Sequence, residues 1–222
     1  MKKIVLGAVV AAMLMLVPSV FAVPALQLYI DGATYDAGTQ TWVTSASSFD
    51  LYVIGLAGQN DVLVSMALDG GPDGCSVDVN GSNYNTFTYG FPPLANDPSI
   101  HDGGEDLSPH GIFPAWYTEF SAGSYGDVGK IGDVPEGTWD PTDGYLPGAG
   151  GQRGEFRKFT INVNGDCGVH FDAYTLNEDG TVKSFAPFSH DAERTPGVPE
   201  PATMLLFGLG LAGASITRRF KK

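Results

Sequence analysis

His170 and Asp172, two apart in the stretch GVHFDAYTL, are the residues whose types and spacing come nearest to chemistry. On a strand, positions i and i+2 share a face, here the one opposite Val169 and Phe171. A His-x-Asp pair offers an imidazole nitrogen and a carboxylate oxygen to a metal, or forms half of an acid–base unit. A zinc site needs three or four converging ligands, and this stretch supplies two. The plainer reading is two polar side chains on the wet face of a half-buried strand. The other histidines also have acid neighbours: His101 and His110 lie near Asp102, Glu105 and Asp106, and His190 lies near Asp191 and Glu193. Hydrogen bonding within loops accounts for these more cheaply than catalysis does.

Other chemistries fare as follows. The segment LDGGPDGCSVDVNGSN sets Asp69, Asp73 and Asp78 among glycines, and these are candidate ligands for a calcium ion. Calcium takes six to eight oxygens from flexible loops, but no segment has the EF-hand spacing, and ordinary Asp-Gly turns explain the same residues. A serine hydrolase is disfavoured because no Gly-x-Ser-x-Gly elbow occurs. Glycoside hydrolysis needs only two opposed carboxylates, a condition that so acidic a chain cannot fail. Aromatic side chains are more suggestive: Tyr84, Trp116, Tyr117, Tyr125, Trp139 and Tyr145. Such rings, with Asp and Asn beside them, can form platforms for neutral sugars. Trp116, Trp139, His170 and Asp172 are therefore the candidate ligand-binding residues, and no catalytic residue is assigned.

The elements that would position these groups are strands. In ALQLYI, Leu26, Leu28 and Ile30 share one face; in SFDLYVIG, Phe49, Leu51 and Val53 do so; in DVLVSMAL, Val62, Val64, Met66 and Leu68 do so. Asp31-Gly32, Asp69-Gly70 and Asn80-Gly81 mark turns between them. After residue 90 long Gly/Pro/Asp-rich loops surround a short aromatic strand, AWYTEFSAG. Alternation returns in FRKFTINVNG, with Phe159, Ile161 and Val163 on one face, and in GVHFDAYTL. No body segment keeps a 3.6-residue apolar period over three turns. The expectation is an all-β, β-sandwich or jelly-roll-like body.

Both ends carry signals. Lys2 and Lys3, the apolar run Ile4 to Val17, and Val20-Phe21-Ala22 read as a secretory signal peptide, 1–22, cut after Ala22. At the other end Ala202 to Ile216 is uncharged and is followed by Arg218, Arg219, Lys221 and Lys222. As a helix it would cover about 22 Å, and snorkelling residues extend a predicted transmembrane helix to 202–217. Val198-Pro199-Glu200-Pro201, the apolar stretch and the Arg218-Arg219 end together resemble the PEP-CTERM sorting signal. That resemblance implies Gram-negative bacteria that make exopolysaccharide, export through the Sec machinery, transient inner-membrane anchoring, and cutting by an exosortase. It implies a final place on the cell surface or in the biofilm matrix. The body, through VPALQLYIDGATYD, SPHGIFPAWYTEF and GVHFDAYTL…FAPFSHDAE, resembles the choice-of-anchor N family, which brings no established activity.

The expected organisation is a signal peptide at 1–22, a secreted domain at 23–197 and a sorting tail at 198–222. Between the signals stand six basic and 24 acidic residues, a net charge of −18. Such a surface repels nucleic acid and anionic lipid, and tolerates divalent cations and neutral sugars. Cys75 and Cys167 are the two cysteines; in an oxidising envelope they read as a disulfide, with two free thiols or a metal pair as alternatives. The functional expectation is a surface or exopolysaccharide-matrix protein without catalysis, needing no cofactor unless calcium. A polysaccharide-binding or polysaccharide-active β protein is the alternative.

Overall fold

A computed structural model describes residues 23–93, 107, 111–135 and 139–196. Among these residues fourteen strands follow in chain order: β1 (Leu26–Ile30), β2 (Thr34–Asp36), β3 (Thr41–Thr44), β4 (Ser48–Leu56), β5 (Val62–Asp69), β6 (Ser76–Val79), β7 (Ser82–Tyr84), β8 (Thr88–Gly90), β9 (Ala115–Gly123), β10 (Gly129–Ile131), β11 (Gln152–Asn164), β12 (Gly168–Leu176), β13 (Val182–Phe185) and β14 (Asp191–Arg194). Short 3-10 turns stand at Pro141–Asp143 and Phe188–His190. One sheet has the order β1-β4-β11-β6-β7, with β10 also on β11; the other has β2-β3-β14-β12-β5-β9-β8, with β13 also on β12.

The alternating apolar residues form the core shared by the two sheets. Leu28, Leu51 and Ile161 come from the first sheet, and Val64, Met66 and Phe171 from the second. Phe49 and Phe171 meet edge to face with ring centroids 5.9 Å apart, a favoured aromatic geometry. The Cys75–Cys167 disulfide ties the chain entering β6 to the chain entering β12, with Cα atoms 6.2 Å apart. The two turns approach so closely there that a Cβ at Gly165 would collide with the Gly74 carbonyl; Gly165 also has φ +95°, where glycine alone is unstrained.

A second apolar layer covers the outer face of the first sheet. Tyr29, Tyr52 and Ile54 are covered there by Ile131, Val134 and Trp139. Burial of this face leaves Gln27 without water, and its amide is satisfied by protein: Nε2 donates to the Gly132 carbonyl at 2.9 Å, and Oε1 accepts from the Val134 amide at 3.1 Å. The long Gly/Pro-rich segment is thereby pinned to the sheet. Trp139 belongs to this layer, donating from Nε1 to the Gly144 carbonyl at 2.8 Å.

Three expectations need correction. The described chain is mostly strand, but the β-sandwich or jelly-roll reading fails: both sheets are open, ending on β1 and β7 and on β2 and β8. Moreover β14 pairs with β3 in parallel. Period-two alternation identifies strands, but it carries no information on closure or strand order. The flanking signal helix and transmembrane helix are the second correction. The described residues contain no helix beyond the two 3-10 turns, and none of their helices is long and apolar enough to cross a membrane. Segments 1–22 and 202–217, where those helices were expected, lie outside the described residues. The uncharged run also falls short of the roughly 20 residues that span a bilayer core. The third correction follows from the second: transient inner-membrane anchoring finds no transmembrane helix among the described residues to support it.

Candidate functional site

The outer face of the second sheet is buried as well, and it is polar. Strand β12 lies between β14 and β5, so His170 stands opposite Glu193 on one side and Ala67 on the other. Asp172 stands opposite Ser65. The register therefore brings His170 and Asp172 of β12 beside Asp191 and Glu193 of β14. His170, Asp172 and Asp191 are 7%, 3% and 0% exposed. The wet strand face expected for the pair is absent.

Imidazole Nε2 of His170 lies 3.4 Å from an Asp172 oxygen and 3.8 Å from an Asp191 oxygen; Nδ1 lies 3.7 Å from Glu193 Oε2. Burial is the largest influence on His170 and works against its charged form. Asp172 first, then Asp191 and Glu193, outweigh it and hold the imidazole well above its ordinary range. A buried imidazolium is thus matched by three carboxylates, with Asp172 the dominant partner. One row further along the same face, the Tyr174 hydroxyl donates to the Glu119 carboxylate.

A cavity of about 530 Å³ opens at the end of this face, where β5 stops and β9 and β12 begin. Asp69, Tyr89, Ile112, Trp116, His170 and Glu193 are among its lining residues. Tyr89 is 58% exposed, and its ring centroid lies 5.5 Å from that of Trp116. The arrangement combines an aromatic wall, acidic groups and one histidine, a chemistry suited to a hydroxyl-rich or cationic guest.

Of the expected ligand-binding residues, Trp116 and His170 line this cavity, with Asp172 buried beside His170. Trp139 is elsewhere, in the layer over the other sheet. The proposed calcium ligands are spread out. Asp69 lines the cavity, Asp73 is exposed in the turn before β6, and Asp78 accepts from the Gly81 amide at 2.8 Å. His190 is taken by Asp133 at 3.0 Å and by Ser189 at 2.8 Å. His101, His110 and the sorting residues Val198, Pro199, Glu200, Pro201, Arg218 and Arg219 lie outside the described residues.

Sequence reasoning missed Tyr89 and the partnership of Asp191 and Glu193 with His170. A signal for the latter exists. Asp191-Ala192-Glu193 repeats the alternation of His170-Phe171-Asp172, with an apolar residue between two ionisable ones. Two such strands side by side put four ionisable groups on one face.

Residues 197–222 match the PEP-CTERM protein-sorting motif. No characterised protein matches the chain in sequence. The motif implies processing by an exosortase-type enzyme, and a strand-rich, disulfide-bonded body ahead of it is consistent with a secreted, sorted surface protein.

Proposed function

We propose that the chain is a non-catalytic cell-surface or exopolysaccharide-matrix protein, of the choice-of-anchor N type. Residues 1–22 serve as its Sec signal peptide, 23–197 as its secreted body and 198–222 as its sorting tail. The observation that carries this is the PEP-CTERM match at 197–222. It is supported by a body of net charge −18 and by a disulfide suited to an oxidising compartment. Pro199, Glu200 and Pro201 mark the processing region. The test is intact-mass measurement of the protein from its native host, with the exosortase present and deleted. The parent strain should yield a species lacking the C-terminal residues, and the deletion strain should retain them. Identical C-termini in both strains would overturn the sorting function.

A second reading has one observation in its favour: Trp116 and the exposed Tyr89 pack at a tilt in the lining of a cavity that also holds acidic side chains. In this reading the cleft binds a neutral polysaccharide. Trp116→Ala should weaken retention on purified exopolysaccharide by roughly tenfold, the loss of about 1.4 kcal/mol. Retention equal to that of the parent protein would remove the reading. Trp139→Ala is unsuitable as a probe, because its ring is part of the packing over the first sheet.

A further inference from the structure

We propose that His170, Asp172 and Asp191 form a binding site for one divalent metal ion of the zinc class, with Glu193 orienting the histidine. The ligand atoms of the three residues all lie within 4.8 Å of one another. Tetrahedral zinc with bonds of about 2.0–2.1 Å requires ligand atoms roughly 3.3 Å apart. The separations of His170 Nε2 from Asp172 and Asp191, 3.4 and 3.8 Å, lie close to that edge. The third edge, between the two aspartates, is within 4.8 Å, and metal binding would draw it in.

The two faces of the imidazole are used differently. Nε2 points toward Asp172 and Asp191, while Nδ1 faces Glu193 at 3.7 Å. Metal-bound histidines characteristically direct the second ring nitrogen to a carboxylate, which sets the tautomer and the ring plane. Glu193 stands in that position, on the neighbouring strand and in register with His170. Two rigid strands thus supply all four groups, as a precise site requires.

Charge and polarity favour the same occupant. Three carboxylates lie within 3.8 Å of one imidazole, two of them on buried aspartates, a donor set whose charge complements a dication. Ser65 adds an independent observation. Its side chain is fully buried and shares a face with Asp172, directly across the strand pair. Its Oγ has no hydrogen-bond partner among the described residues. Water held in the metal's fourth position would give it one. A ligand set of one nitrogen and two carboxylates suits zinc and its first-row neighbours rather than calcium, which takes oxygen throughout. His170 and Glu193 also line the cavity, so the site lies beside it.

The site is independent of the sorting function, and its test does not depend on it. The full chain is stripped with a chelator, dialysed and titrated with zinc chloride alone. One equivalent should bind with a Kd below about 1 μM, and at 100-fold saturation the Tm should rise by roughly 5–10 °C. Asp172→Asn and Asp191→Asn should each weaken binding at least tenfold. Glu193→Gln should weaken it by about 10–100-fold. Should the aspartate variants fail to fold, cobalt replaces zinc in the parent protein. Visible bands of four- or five-coordinate cobalt support the site, and a spectrum of fully hydrated cobalt overturns it. Zinc binding that is absent, or undiminished in Asp191→Asn, also overturns it.

Discussion

Replacing Cys75 and Cys167 together by alanine is expected to destabilise the protein by roughly 4.5 kcal/mol in the loop-entropy model. The two residues are 92 apart in sequence, so the disulfide removes a large set of extended conformations from the unfolded chain. The enclosed segment contains β6 to β11, which span both sheets and include the Gly/Pro-rich stretch around Trp139. For a chain of this size the Tm should fall by about 10–18 °C. A second observable separates this cause from lost packing. Both cysteines sit in the main core, but they lie at turns that precede strands, so the cavity left by alanine is small. If the unfolded state is what changes, the urea m-value should rise, because the released chain exposes more surface on unfolding. A Tm within about 3 °C of the parent, with an unchanged m-value, would show that the crosslink adds little and that the sheets hold themselves.

That stapling was legible in the sequence, because an even cysteine pair in a chain read as exported leaves few alternatives. The faces of the strands were legible too. Leu26, Leu28 and Ile30 enter the core as their alternation requires, and so do Val62, Val64 and Met66. What alternation cannot say is whether the opposite face is covered. Gln27 and Tyr29 look solvent-facing in ALQLYI, yet Ile131, Gly132, Val134 and Trp139 lie over them. The cover comes from more than 100 residues away and has no strand period to announce it. Sheet order was hidden for the same reason. The parallel pairing of β14 with β3 joins residues about 150 apart, and no turn chemistry between neighbours encodes such a contact.

The His170 cluster shows both limits together. Its first two members were visible as a pair because they are local, but polarity suggested water, and burial was found instead. Asp191 and Glu193 were visible as acids but were associated with His190, their neighbour in sequence. The structure gives His190 to Asp133 and turns Asp191 and Glu193 toward His170 through strand pairing. Sequence proximity is a poor guide to partnership in a sheet, where the neighbours that matter lie across strands. The cavity was less legible still, since it forms where three strand ends meet and includes Tyr89 from an edge strand.

Truncation after Pro196 is expected to leave the fold intact and to abolish sorting entirely. The last strand ends at Arg194, and the Thr195 amide extends its pairing with β3 by donating to the Thr44 carbonyl at 3.0 Å. The described core clusters draw on residues from Val23 to Ala192. A fold that is complete in these strands should lose less than about 0.5 kcal/mol when the tail is removed. The Tm should therefore stay within about 2 °C of the full chain. The matched sorting motif, 197–222, is removed completely, so no processed species should form and the protein should not reach the cell surface. The reciprocal experiment fuses residues 197–222 to an unrelated exported protein, which should then be processed in an exosortase-dependent way. Fold and address are thereby separated, one in the strands and the other in the tail. A fall in Tm of more than about 5 °C would make the tail a structural element. Surface display of the truncated chain at the parental level would place the address in the body instead.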